Sequence, residues 1–267
     1  MTEKGSIGRL ETLDFDDAAA KRAYNRRLFD VVAPAYPRVT AALSFGQDRR
    51  WKETLVSWLP AAARPVCVDV ASGTGDFLPL LRRRYPDGRI LGMDLNREMM
   101  TVGKGLGDGR ETATFILADM SDLPLPDETV DIVTAGYALR NAPDLTAALK
   151  ELVRVLRPGG TAAILDFSKP PSRTASRAAH RLLEMWGRLW GAVFHRDGDV
   201  YGYIAESLSH FPDREALTAA LTAAGLDTVR ISRPFLGFLE LRLVRKQRRH
   251  SADRAEGNGL HGEVAGE

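Results

Sequence analysis

The sequence predicts an α/β fold built on a parallel sheet, and three observations carry that prediction. Val66–Val70 is a largely β-branched apolar run that breaks into a turn holding Gly73 and Gly75, the pattern of a buried parallel strand feeding a loop of close backbone approach. From residue 66 onward, strand-length apolar runs alternate with stretches of helical period, as parallel strands joined by crossover helices require. Asp69, Asp94 and Asp119 stand at or near the ends of the first three runs. Acids at strand ends beside a glycine turn mark the sheet edge where small molecules bind.

Taken in order, residues 1–20 read as a mobile N-terminal segment without the apolar core of a signal peptide. Residues 21–60 form a helical roof, with Pro34 and Pro37 predicting helix, break and second helix before Trp51, Leu55 and Trp58. After the first strand, Pro79 suits the first turn of a helix. Arg89–Asp94, Thr114–Ala118 and Val130–Thr134 are the next strands, and Asp144 caps a helix running to Val155. Arg157-Pro158-Gly159-Gly160 predicts a sharp stop and turn before the strand Thr161–Phe167. An insertion over 171–211 precedes a helix from Asp213 to Ala224 ended by Gly225. Leu226–Arg233 and Leu236–Arg245 predict an antiparallel hairpin, closing a domain over 21–245. Residues 246–267 turn basic, then Gly- and Glu-rich, the composition of a disordered tail.

Composition narrows the function. A hydrophobic share of 44% is enough for a core, and a net charge of +2 leaves no nucleic-acid footprint. The single cysteine, Cys67, lies inside the first strand, so neither a disulfide framework nor a thiol metal site is available. His180, His195 and His210 have no second ligand at metal spacing. No run reaches membrane-spanning length. A metal-free cytoplasmic enzyme is expected.

The ligand follows from what the loop lacks. Leu78 occupies the place of the third glycine of a dinucleotide fingerprint, and no Gly-Lys-Ser/Thr follows. Asp94, some 20 residues past the glycines, is placed to accept both ribose hydroxyls, and Asp119 lies where an adenine edge would. Three acids without a phosphate cradle describe a cationic nucleoside, which points to S-adenosylmethionine. A nicotinamide oxidoreductase and a non-catalytic cofactor-binding scaffold stay open as alternatives.

Further segments carry a resemblance: Leu139-Arg140-Asn141, Arg154-Val155-Leu156-Arg157-Pro158-Gly159-Gly160, Leu165-Asp166-Phe167-Ser168-Lys169-Pro170 and Tyr203-Ile204-Ala205-Glu206-Ser207. With the glycine turn they make the chain resemble the class I S-adenosylmethionine-dependent methyltransferases, and within them the UbiE-type quinone-biosynthesis C-methyltransferases, over about residues 24–244. The resemblance implies a Rossmann-like, seven-stranded, mostly parallel sheet with a reversed last strand. It implies a cofactor site of Asp69, Gly73, Thr74, Gly75, Asp94, Asp119, Met120 and Gly136. It also implies Arg140 as the catalytic residue, supporting a ring phenolate or orienting a water that removes the proton, with Tyr36, Asn141 and Tyr203 toward the substrate. An ion pair of Arg140 with a carboxylate such as Asp144 is the structural alternative.

The chain departs from that pattern in its roof. Pro37 follows Tyr36 where an aspartate is usual, Thr40 replaces an asparagine, and Asp48 replaces a histidine. Arg157, Asp166 and Gly136 stand for the family's lysine, glutamate and serine. The implied substrate is a small hydrophobic aromatic, a prenylated demethyl-quinol of menaquinone rather than ubiquinone type. A phenolic or polyketide acceptor is the alternative. Along 172–194, Leu182, Met185, Trp186, Leu189, Trp190 and Val193 mark one helical face, with Arg173, Arg177, Arg181, Arg188 and Arg196 interspersed. That face reads as a lid with peripheral contact to the membrane's inner face. A homodimer is also left open.

Overall fold

The computed structural model describes residues 10–110, 113–195, 197 and 200–248, with the side chains of 11, 173, 175 and 179 excepted. Arg196, Arg249, the rest of the tail, residues 1–9 and the Arg173 side chain lie outside the described residues. Seven strands form one sheet in the order β3-β2-β1-β4-β5-β7-β6. They are β1 (Val66–Val70), β2 (Arg89–Asp94), β3 (Thr114–Leu117), β4 (Val130–Gly136), β5 (Leu156–Phe167), β6 (Leu226–Ser232) and β7 (Leu239–Lys246). The first five pair in parallel, and β7 runs antiparallel to both β5 and β6. The order reverses between β1 and β4, so the crevice for a ligand opens at their carboxyl ends.

Helices cover both faces. α4 (Leu78–Arg84), α5 (Arg97–Gly105), α6 (Leu145–Val155) and α9 (Arg214–Ala223) belong to the crossovers. α1 (Ala18–Val32), α2 (Tyr36–Leu43) and α3 (Asp48–Trp58) make the roof, and α7 (Arg173–His195) and α8 (Gly202–His210) the insertion. The caps expected from sequence operate: Asp144 Oδ1 accepts from Ala147 N at 3.0 Å, and Asp213 Oδ1 from Ala216 N at 2.9 Å. Buried Leu28, Val32, Val39, Val200 and Tyr203 form a core of their own that welds roof to insertion. The roof is therefore part of the folded body and not an appendage.

Four expectations are corrected. Arg157–Gly160 does not end a turn before the strand; it is an irregular stretch inside β5, where pairing jumps from Val130↔Leu156 to Ile132↔Thr161. Gly159, at φ +82°, allows the excursion. Leu236 is not in a strand but in a turn, Phe235–Gly237. Lys246 closes β7 and does not belong to the tail. Residues 10–20 are docked: Phe15 stacks on His210 with ring centroids 4.2 Å apart, and α1 begins at Ala18.

Candidate active site

Two cavities meet at the carboxyl ends of β1, β2 and β4. The smaller, about 100 Å³, is a groove lined by Gly73, Asp94, Asn96, Asp119, Met120 and Gly136, among others. The larger, about 280 Å³, lies beneath α1, α2 and α7. Phe29, Tyr36, Tyr137 and Asn141 line both. This shared wall is where a group could pass from one cavity to the other.

The glycine turn sets the floor of the groove. Gly73 (φ +54°) and Gly75 (φ +76°) are left-handed, and each also answers a packing demand. A Cβ at Gly75 would stand 2.7 Å from Leu78 Cδ1, and one at Gly73 3.0 Å from Met99 Cε. Sequence reasoning missed Gly103, which lets α5 sit directly on the loop; a Cβ there would be 2.5 Å from Thr74 O. Gly73 N donates to Asp94 Oδ2 and Asn96 N to Asp94 Oδ1, both at 2.7 Å. These donors leave the Asp94 carboxylate with acceptor capacity to spare toward the groove. Burial pushes Asp94 up to about 6, against the pull of the backbone donors of Asn96, Gly73 and Leu95.

The other acids sort differently. Asp119 reaches the groove but is bridged by Arg22 of α1 at 2.8 Å. Asp69 does not line the groove: it is 2% exposed and accepts from Thr134 Oγ1 at 2.6 Å. Burial drives its carboxyl up to about 7. Thr74 and Gly75 likewise stand behind the groove wall, Thr74 Oγ1 donating to Asp76 Oδ1 at 3.3 Å. Gly136 lines it, and a Cβ there would meet Phe77 Cε2 at 3.0 Å. A serine at this position would need Phe77 to shift.

Asp76 stands inside a largely buried chain of alternating charge that the sequence did not foreshadow. Lys52 Nζ lies 2.7 Å from Asp48 Oδ2 and 2.8 Å from Asp76 Oδ2, and Asp76 Oδ1 accepts from Arg110 at 2.6 Å. Burial would raise Asp76, but Lys52 and Arg110 more than offset it and hold the carboxyl at about 2. Tyr137 Oη donates to Asp48 Oδ1 at 2.8 Å, fixing a ring on the shared wall. The residue standing for the family's histidine is thus a buried anchor. Its i,i+4 spacing from Lys52 was a usable signal.

Arg140 sits in the turn Leu139–Asn141, is 5% exposed and lines the larger cavity. Its partner is Asp166 rather than Asp144, which caps α6 instead. Asp166 Oδ1 lies 3.5 Å from Arg140 Nε, and Asp166 Oδ2 accepts from Arg140 N at 3.0 Å. Burial raises the Asp166 carboxyl, with Arg140 opposing. Arg140 Nη1 donates to Ser207 Oγ, and the guanidinium carbon stands 5.1 Å from the Phe167 ring centre. Three separate motifs, around residues 140, 166 and 207, therefore converge on one guanidinium.

The remaining substrate-side expectations fall on the same cavity. Tyr36, Asn141 and Tyr203 all line it. Burial pushes the Tyr36 phenol up to about 12, so it stays protonated. Asn141 Nδ2 donates to Tyr137 O at 2.7 Å, while its Oδ1 is buried with no hydrogen-bond partner among the described residues. Among the residues that line this cavity, Arg140 is the sole charged one.

Comparison with known proteins places the chain in a family. The model of the ubiE/COQ5 methyltransferase family matches residues 17–240. The chain is 36% identical over 218 residues to the demethylmenaquinone methyltransferase of Roseiflexus sp. (strain RS-1), covering 78% of this chain and 87% of that one. It is 35% identical over 213 residues to the ubiquinone/menaquinone biosynthesis C-methyltransferase UbiE of Hahella chejuensis, covering 77% and 84%. The 2-phytyl-1,4-naphtoquinone methyltransferase of Thermosynechococcus vestitus is 34% identical, with 79% and 94% covered. Among solved structures, a SAM-dependent methyltransferase of Thermotoga maritima superposes with a TM-score of 0.59 at 18% identity, covering 83% and 99%. The methyltransferase bound to the Trm112 activator of Haloferax volcanii gives 0.59 at 19%, covering 82% and 98%. These two likenesses speak for the fold. The matches by sequence go further, and by them the chain belongs to the ubiE/COQ5 methyltransferase family and is a methyltransferase.

Proposed function

We propose that this chain methylates a ring carbon of a prenylated demethyl-quinol, with a naphthoquinol favoured over a benzoquinol, and takes the methyl group from S-adenosylmethionine. The observation that carries the reading is the apolar cavity of about 280 Å³ whose one charged lining residue is Arg140. A flat, greasy ring carrying one ionisable hydroxyl is the complement of such a cavity.

The smaller groove fits the cofactor on its donor set. Asp94 offers the remaining acceptor capacity of its carboxylate to a ribose, and the left-handed Gly73 leaves the floor free of a side chain. Asp119 and Met120 would flank the adenine. When bound, S-adenosylmethionine supplies an electrophilic methyl group. The chain's own residues do the rest. Tyr36, Phe45 and Trp51 present aromatic faces to the acceptor ring. Arg140 cannot take a proton because it stays charged; it holds the negative charge that develops on the ring oxygen, and the proton that the methyl group displaces from the ring carbon leaves to water. Nη1 is engaged by Ser207 and Nε faces Asp166, which leaves the Nη2 edge for that oxygen. The free Oδ1 of Asn141 accepts from a second ring hydroxyl. Asp166 and Ser207 are positioning residues for the guanidinium.

The ring preference follows from the roof. Thr40 and Ser44 are the only aliphatic hydroxyls lining the cavity, and Asp48 is committed to Lys52 and Tyr137. Recognition therefore leans on apolar contact. A fused second ring of about 50 Å², at roughly 25 cal/mol per Å², adds about 1 kcal/mol. Two relatives named for naphthoquinone-type substrates support the same preference. Matched demethyl-naphthoquinol and demethyl-benzoquinol acceptors with one tail should differ several-fold in kcat/KM, the naphthoquinol being the better. A better benzoquinol would refute the preference, and methylation of neither would refute the quinol assignment.

A further inference from the structure

We propose that the surface around the mouth of the acceptor cavity docks on an anionic phospholipid bilayer. The proposal rests on the reading of a prenylated acceptor, but its observations are independent of it. Seven of the eleven large hydrophobic side chains exposed among the described residues gather here. On α7 they are Leu182, Met185, Leu189 and Val193, between 50% and 70% exposed, at the three- and four-residue spacing of one helical stripe. The other three are Phe45, Phe235 and Leu236, and Leu236 is 94% exposed. The elements touch: the Phe45 ring stacks on Trp186 at 5.1 Å and lies 5.8 Å from Phe235. Leu182, Phe45 and Phe235 also line the cavity, so the patch and the acceptor site are continuous.

The backbone argues the same way. Phe45 (φ 51°), Phe235 (φ 56°) and Leu236 (φ 55°) are all left-handed, a conformation that costs free energy for bulky residues. Burial of the side chain offsets this only in part, since Leu236 stays almost wholly in water and Phe45 and Phe235 keep one side exposed. A bilayer would supply the missing burial. Charge selects which bilayer. Arg177, Arg181 and Arg188 are exposed on the strip of α7 beside the apolar stripe, and α7 holds four arginines against one glutamate, Glu184. A basic strip flanking an apolar one is the design of an in-plane interfacial helix. It also disfavours a second copy of the chain, whose arginines would face these. No helix of the described residues is long and apolar enough to cross a membrane. The mouth would thus open onto the acyl region that holds a prenyl tail.

The test uses the full chain with vesicles of phosphatidylcholine alone or mixed with phosphatidylglycerol. The native chain should co-sediment with the mixed vesicles, less with the neutral ones, and less again in high salt. Met185→Asp combined with Leu236→Asp changes two residues outside both cavities. It should lower partition by about tenfold or more, while turnover of a tail-less quinol in solution stays within about twofold of native. Absence of native binding to mixed vesicles, or equal binding by the double variant, overturns the proposal. So does a native dimer that the double variant converts to a monomer without vesicle binding, which would make the patch a self-association face. If neither protein methylates the tail-less quinol, the quinol assignment fails while the vesicle result still decides docking.

Discussion

Arg140→Ala is expected to slow single-turnover methylation by about 100-fold or more, the scale seen when a preorganised charge partner of a transition state is removed, with cofactor affinity nearly intact. Arg140 lines the acceptor cavity and not the groove, so binding and chemistry should separate. The substitution has a structural cost as well. It leaves Asp166, 3% exposed, without its cation, and breaking such a pair costs about 3–5 kcal/mol. The sign with pH follows. Burial already raises the Asp166 carboxyl, and losing Arg140 raises it further, so the stability deficit should shrink as pH falls and the carboxyl takes a proton. Arg140→Ala/Asp166→Asn removes the orphaned charge. If stability returns in that double variant while the rate stays low, the guanidinium acts on the reaction. A normal single-turnover rate in Arg140→Ala would leave it a structural role alone.

Asp94→Ala should weaken S-adenosylmethionine binding at least tenfold, because charge-assisted hydrogen bonds of this kind are worth about 1.5–3 kcal/mol. Two backbone N–H groups, of Gly73 and Asn96, also lose their acceptor. The native protein should show a matching pH dependence. With Asp94 raised to about 6 by burial, the cofactor-free carboxylate takes up a proton as pH falls through that value, and affinity falls with it. Calorimetry at pH 7.5 and pH 5, set on either side of that value, reads the effect. An unchanged affinity in a folded Asp94→Ala would remove Asp94 from the cofactor site, and a flat pH profile would show that its carboxylate is not an acceptor for the ligand.

What the sequence made legible was local. The strand–glycine–helix unit, the caps at Asp144 and Asp213 and the acid at Asp94 lie within one element and its turn, where spacing alone decides the outcome. Asp69 and Thr74 belong to the same motif yet face inward: alternate residues of a strand point to opposite faces and a motif does not say which face is wet, and Thr74, in the turn beyond β1, is drawn to Asp76. Partners distant in sequence were out of reach: nothing in the chain tells that Arg140 meets Asp166 and Ser207, 26 and 67 positions away. The face of α7 was half legible. Its apolar period was plain, but Trp186 and Trp190 turn partly inward while Met185 stands 70% exposed, a division that only the docking of α2 and α8 decides. The Pro158-Gly159-Gly160 run reads as a stop, but a strand can absorb such residues as an irregularity, here near the start of β5.

Cys67 gives the fold a built-in clock. Its side chain is fully buried in β1, between β2 and β4, and burial pushes the thiol up to about 12. Almost none of it is thiolate near neutral pH, and no reagent reaches it while the sheet is closed. Labelling therefore has to wait for the core over this face of the sheet, which packs α3 and α4 on Cys67, to open. Under reagent in excess, the modification rate reports the frequency of that opening. α1, α2 and the insertion, which pack in a separate core, can loosen without registering, so the same chain can be followed in its working motions by other probes while its lone thiol counts only the moments when this core comes apart.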